Sequence, residues 1–212
     1  MHELSVVSER VARFLLEIKA IRINPDHPFV WTSGWKSPIY CDNRIALSYP
    51  SIRSYIRDNL SELVKNKFDG VEVIAGVATA GIPQGTLVAD RLDLPFIYVR
   101  PKPKDHGLSN QIEGRVEKDQ KVVVIEDLVS TGGSSMNAIE VLRHSGLEIL
   151  GMAAIFSYAF PKSADLFREN KVPCFSLSNY EALIKIALRD GYIKAHEMDK
   201  LIAWRKDPAR WG

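Results

Sequence analysis

Residues 122–135, VVVIEDLVSTGGSS, restrict the possible folds of this chain more than any other stretch. Val122, Val123, Val124 and Ile125 form an apolar β-branched run too short for a helix and suited to a strand buried on both faces. The run ends on two adjacent carboxylates, Glu126 and Asp127. After Leu128 and Val129 comes a small, hydroxylated segment, Ser130, Thr131, Gly132, Gly133, Ser134 and Ser135. It leads into a helical pattern with Ala138, Val141 and Leu142 on one face. The order is strand, loop, helix, and strands buried on both faces belong to sheets with helices on both sides.

Gly132 and Gly133 put no Cβ in the way of a tight turn, so several N–H groups can converge at the helix N-terminus and seat a phosphate. The alternative is a plain capped helix whose serines satisfy those N–H groups. No lysine follows the glycines, so the segment is not the P-loop of nucleoside triphosphatases, and it lacks G-x-G-x-x-G. Carboxylates next to a phosphate seat repel phosphate but accept hydrogen bonds from sugar hydroxyls. A ribose carrying a 5-phosphate satisfies both halves.

The remainder of the chain supplies the frame. At 212 residues it is expected to form a single domain over 1–212 with a small N-terminal hood. With 46% hydrophobic and 25% charged residues it reads as a globular protein, and a net charge of +2 argues against nucleic acid as a partner. Cys41 and Cys174 are too few for a disulfide framework. Without an apolar leader or an 18-residue apolar run, the expectation is a cytoplasmic protein with no membrane partner. Leu4, Val7, Val11, Phe14 or Leu15, and Ile18 give an amphipathic helix over 3–20. Residues 24–49, rich in proline and aromatics, predict short antiparallel strands, with Phe29, Trp31, Trp35 and Tyr40 available to plug the core. Pro50 opens a helix ending near Phe68. Residues 71–77 form the next buried strand, followed by a small-residue turn, 78–83, that is either a second anion seat or a plain connection. A third strand, 96–100, precedes RPKPKDHGLSNQIEG, 100–114, whose composition argues for a mobile cationic loop carrying Arg100, Lys102, Lys104 and His106. Strands at 147–158 and 173–177 follow, Ser178 and Glu181 predict a capping box, and a last helix is expected over 195–204. Strands and helices alternate from Val71 to Leu177, so the fold class is α/β, a mainly parallel twisted sheet with helices on both faces.

An acidic pair, a short spacer and T-G-G-S after an apolar strand resemble the signature of the type I phosphoribosyltransferases. F-x-W-x-S-G-x-x-S-P-x-Y-x-D in the N-terminal segment, together with K-D-H-G, resembles the members of that family that use orotate. The resemblance implies transfer of ribose 5-phosphate from phosphoribosyl pyrophosphate to orotate, with Mg2+ as cofactor, in a homodimer with a shared active site. It implies that Glu126 and Asp127 bind the ribose hydroxyls, and that Leu128, Val129, Ser130, Thr131, Gly132, Gly133 and Ser134 surround the 5-phosphate. Ser130 is also implied as an orotate contact. Arg100, Lys104 and His106 match loop positions that bind pyrophosphate, and the catalytic set implied is Lys104, His106 and Asp127. Thr32 and Ala80 stand where relatives have lysines, and Lys36 either substitutes for the first or forms a solvated turn. His106 either donates a proton to pyrophosphate or only hydrogen-bonds it. A relative acting on another base, and a sensor of the same ligand without turnover, are the competing readings.

Overall fold

The computed structural model describes residues 6–31, 34–102 and 111–211. The chain groups into two compact units, Met1–Arg53 with Ser178–Gly212, and Ser54–Leu177.

The first unit begins with α1 (Val6–Glu17), whose inward residues are Ser8, Val11, Ala12, Leu15 and Leu16. Leu15, rather than Phe14, occupies the core position, since Phe14 lies against the Arg10 guanidinium at 5.4 Å. The expected antiparallel strands are present: β1 (Ile21–Ile23), β2 (Phe29–Val30), β3 (Lys36–Ser37) and β4 (Ile39–Cys41), with β1 pairing β4 and β2 pairing β3. Arg22 stacks on both Phe29 and Tyr40, 5.3 and 5.0 Å from their ring centroids. A 3-10 turn, Asn43–Ser48, is capped by the Asp42 carboxylate, which accepts the Arg44 N–H. The chain passes into the second unit within α2 (Pro50–Lys67), runs there through β5 (Val73–Val77), α3 (Gly81–Leu92), β6 (Phe96–Val99), β7 (Ile112–Glu113), β8 (Lys121–Val129), α4 (Gly133–His144), β9 (Glu148–Ser157) and α5 (Pro161–Glu169), and leaves it at the end of β10 (Cys174–Asn179). The first unit then closes with α6 (Tyr180–Arg189), a 3-10 turn Ala195–Glu197, and α7 (Met198–Lys206).

Trp204 of α7 is fully buried; its ring packs against Trp31 and Tyr180, and its indole N–H donates to the Lys36 carbonyl at 3.2 Å. The expected capping box does not form; instead Asn179, one residue later, caps α6 by accepting the Ala182 N–H. Ser178 is unavailable because its buried hydroxyl donates to the Ser8 carbonyl at 2.8 Å.

The second unit is built on a sheet of six described strands in the order β10-β9-β8-β5-β6-β7. The pairs β6–β5, β5–β8 and β8–β9 are parallel, and β7 runs antiparallel on the β6 edge. That edge strand corrects the expectation of an unstructured 100–114: Ile112 and Glu113 pair with Val99 and Tyr98, because a chain returning past an open strand edge satisfies its N–H and C=O groups there. On one face, Val73, Ala75, Val122 and Val124 pack with Met136, Ile139 and Leu142 of α4 and Phe167 beside α4 in the same cluster. By alternation Ile74, Val123 and Ile125 point to the other face, which carries α3. Gly85 brings α3 so close that a Cβ there would lie 2.7 Å from the Phe96 ring. The run read as a strand over 122–125 extends to Val129, so both carboxylates belong to β8 itself. Gly146, at φ +82, ends α4 as expected.

Candidate active site at the ends of two parallel strands

In an open parallel sheet the carboxyl ends of adjacent strands and the helices that follow them frame one concavity. Here the strands are β5 and β8, with Gly76 opposite Ile125, and the helices are α3 and α4.

Helix α4 starts at Gly133 with Gly132 as N-cap at φ +83, a conformation in which a Cβ is strained. A Cβ on Gly132 would also lie 3.1 Å from the Phe167 ring, so glycine is required there for space as well. No side chain caps the helix and no acidic residue lies in its first turn. The serine-capped alternative is therefore not what forms: the first N–H groups of α4 carry no side-chain acceptor at the N-cap, and they provide the positive end of the helix dipole. Gly133 is surrounded by open space and Ser134 is exposed.

Helix α3 repeats the arrangement. Its N-cap, Ala80, offers no hydrogen-bonding side chain, and its first turn has no acid. Gly81 abuts β8 so tightly that a Cβ would lie 2.5 Å from the Ile125 carbonyl oxygen and 3.5 Å from the Glu126 Cα. The two helix starts thus flank the acidic end of β8.

Glu126 is 5% exposed and Asp127 is half-buried. Glu126 Oε1 accepts the Asp127 N–H at 3.2 Å, and Oε2 accepts the Ser135 hydroxyl at 3.3 Å. Burial, and then the charge of Asp127 beside it, push the Glu126 pKa well above the usual carboxylate range. Leu128 is half-buried, whereas Val129 turns its side chain into the core and its carbonyl accepts the Tyr158 N–H. Over 128–134, Val129 and Gly132 are buried, while Leu128, Ser130 and Thr131 are half-buried and Gly133 and Ser134 are exposed.

Arg100 follows β6, tied by its N–H to the Gln111 carbonyl, while its guanidinium pairs with Glu113 at 3.6 Å. It lines a cleft of about 370 Å³ together with Ala78, Gln111, Ser134, Asn137 and His144. Lys104, His106 and Thr32 lie outside the described residues. Gln111 and Asn137 were not singled out from sequence, and Ser135 was read only as one hydroxyl of the phosphate seat, not as a partner of Glu126. Ser135 carried a signal in the run of serines, but Gln111 and Asn137 carry none, since only the fold brings them beside Arg100. Among the described residues no three His, Cys, Asp or Glu side chains converge to hold a metal.

Comparison with known proteins agrees with this geometry. The phosphoribosyl transferase domain model matches residues 47–188. An orotate phosphoribosyltransferase of Bacteroides fragilis is 56% identical over 200 residues, covering 94% of each chain. One from Listeria monocytogenes is 50% identical, covering 97% of this chain and 99% of its own. The crystal structure of orotate phosphoribosyltransferase from Aeropyrum pernix superposes with a TM-score of 0.75 at 30% identity, over 87% of this chain and 99% of that one. The sequence motifs, the doubly covered parallel sheet and these likenesses converge: the chain belongs to the phosphoribosyltransferase family, among its orotate phosphoribosyltransferases.

Proposed function

We propose that the chain transfers ribose 5-phosphate from phosphoribosyl pyrophosphate to orotate, giving orotidine 5-monophosphate and pyrophosphate, as a step in making pyrimidine nucleotides. One observation carries the reading: two uncapped helix N-termini, those of α4 and α3, flank the acidic end of one strand. A 5-phosphate accepts the N–H groups of Gly133 and Ser134 and the hydroxyls of Thr131 and Ser134. The diphosphate meets the start of α3, and the acidic end of β8 receives the ribose hydroxyls.

Breaking the bond from C1 to pyrophosphate leaves positive charge on the ribose and negative charge on the leaving group, and a site that matches both lowers the barrier. The carboxylate of Asp127 lies on the cationic side. Arg100, Lys104 and His106 are assigned to the leaving group, with His106 donating a proton or a hydrogen bond to it. Magnesium, bound to pyrophosphate oxygens and water, would neutralise part of their charge. Residues 100–114 are assigned to closing over the substrate and excluding water, which competes with the base. Ser130 is assigned to orotate.

In this reading 1–212 works as a single phosphoribosyltransferase domain with residues around 24–49 as its hood, as a cytoplasmic homodimer with a shared site. No helix among the described residues is long and apolar enough to cross a membrane. The test is pyrophosphate release with phosphoribosyl pyrophosphate, magnesium and each base in turn. Turnover with orotate is expected; turnover only with uracil or a purine would move the chain to another branch of the family, and none with any base would make it a sensor.

A further inference from the structure

Strands β2 and β3 hold two residues each, and so short a ladder does not stand without a surface to pack on. Its turn is closed by the Trp31 N–H, which donates to the Trp35 carbonyl at 2.9 Å, and by the Gly34 N–H, which donates to the Trp31 carbonyl at 2.8 Å. The surface comes from the far end of the chain. Trp204 of α7, 0% exposed, sets its ring edge-on to Trp31 at 5.8 Å, and its indole N–H donates to the Lys36 carbonyl of β3 at 3.2 Å. Trp31 in turn stacks on Trp35 at 6.5 Å and donates its own indole N–H to the Ile39 carbonyl of β4 at 3.1 Å. Helix α7 is itself tied down. The buried Tyr180 hydroxyl donates to the Leu201 carbonyl at 2.8 Å, and the Lys200 ammonium pairs with Asp26, ahead of β2, at 2.5 Å.

All of these contacts lie within the first unit. The donor seat of the reading above, formed by Asp127 and the starts of α4 and α3, lies wholly inside residues 47–188, the part common to the family, whereas β2, β3 and α7 lie outside it. We propose that Trp204 is a positioning residue for the acceptor: from α7 it fixes the β2–β3 hairpin of the hood, so that the C-terminal helix sets affinity for the base. The inference rests on the reading above, in which residues around 24–49 form the hood, and it adds to that hood a segment distant in sequence. The indole contributes twice. Its ring supplies the apolar surface that the hairpin lacks, and its N–H holds one carbonyl of β3 in place.

Trp204→Phe keeps an aromatic ring in the core and removes the bond to Lys36. The measurement is kcat and KM with each substrate varied in turn, beside hydrogen exchange of the Trp31 amide. KM for orotate is expected to rise about fivefold while kcat and KM for phosphoribosyl pyrophosphate hold, and the Trp31 amide to exchange about tenfold faster. Tyr180→Phe, which loosens α7 from α6, should show the same split at about threefold, and it carries the decision if Trp204→Phe does not fold. Asn179→Ala is the control: it uncaps α6 in the same unit, removes none of these contacts, and should leave KM for orotate as it is. A general loss of stability would move kcat and both KM values together, or move Asn179→Ala as far as Trp204→Phe. Either result overturns the inference, as does an unchanged KM for orotate in Trp204→Phe. If wild type turns over another base instead, the functional reading fails and the split is read on KM for that base. If it turns over none, exchange at Trp31 still decides whether Trp204 holds the hairpin.

Discussion

Helices α4 and α6 are of similar length and begin in opposite ways. At α6 the Asn179 side chain accepts the Ala182 N–H and Glu181 lies in the first turn, so the protein itself satisfies and neutralises the helix start. At α4, and again at α3, there is neither cap nor acid. Helix α5 also lacks a side-chain cap, but Pro161 in its first turn removes one of the unpaired donors. A start the chain has closed is structural, while a start left open beside a second open one is a place for anionic ligand.

The strongest way to break that contrast is to close α4. Gly133 has space for a side chain, and an acid in a first helical turn stabilises by up to about 1 kcal/mol, so Gly133→Asp should melt at or above wild type. The same charge faces the phosphate, and kcat/KM for phosphoribosyl pyrophosphate should fall by about 100-fold or more. Retained activity would remove the 5-phosphate from this turn. Next in size is Gly132→Ala, which forces a Cβ into a positive-φ residue and against the Phe167 ring. Denaturant unfolding should show a loss of about 1–3 kcal/mol. Asn179→Ala opens the closed helix instead, and should cost about 1 kcal/mol in stability while leaving turnover as it was. A drop in turnover there would erase the distinction between the two kinds of helix start.

The smallest effect sharpens the chemistry beside α4. The folded-state pKa of Glu126 is raised, so its contribution to stability is whole below the ordinary carboxylate range and is lost as pH rises towards the folded value. Glu126→Gln, which never ionises, should therefore melt above wild type near about pH 7.5, and the gap should shrink near about pH 4. Equal melting temperatures at both values would place an ionised carboxylate in the folded protein.

Much of this was legible in the chain. The β-branched run, the acidic pair and the two glycines announced the strand, the open helix start and a sugar phosphate as ligand, because local sterics and period-2 patterning act over a few residues. The antiparallel strands of 24–49 were also readable from their prolines and aromatics. The cap of α6 was placed one residue early, since nothing near Ser178 reveals that its hydroxyl is taken by the carbonyl of Ser8, far away in sequence. The strand at Ile112–Glu113 escaped for the same reason: two residues carry no pattern, and their pairing is granted by the edge of β6.

Sequence by itself determined that this chain builds a doubly covered parallel sheet whose middle strand ends in acids and glycines, because propensity and hydrophobic period are properties of neighbours along the chain. Tertiary structure decided which of two adjacent acids is buried. It set the N-terminus of α3 against β8 through the missing Cβ of Gly81, and it placed the Ser135 hydroxyl on Glu126. Those outcomes depend on the distances between elements, and close packing fixes them only once the whole sheet is assembled.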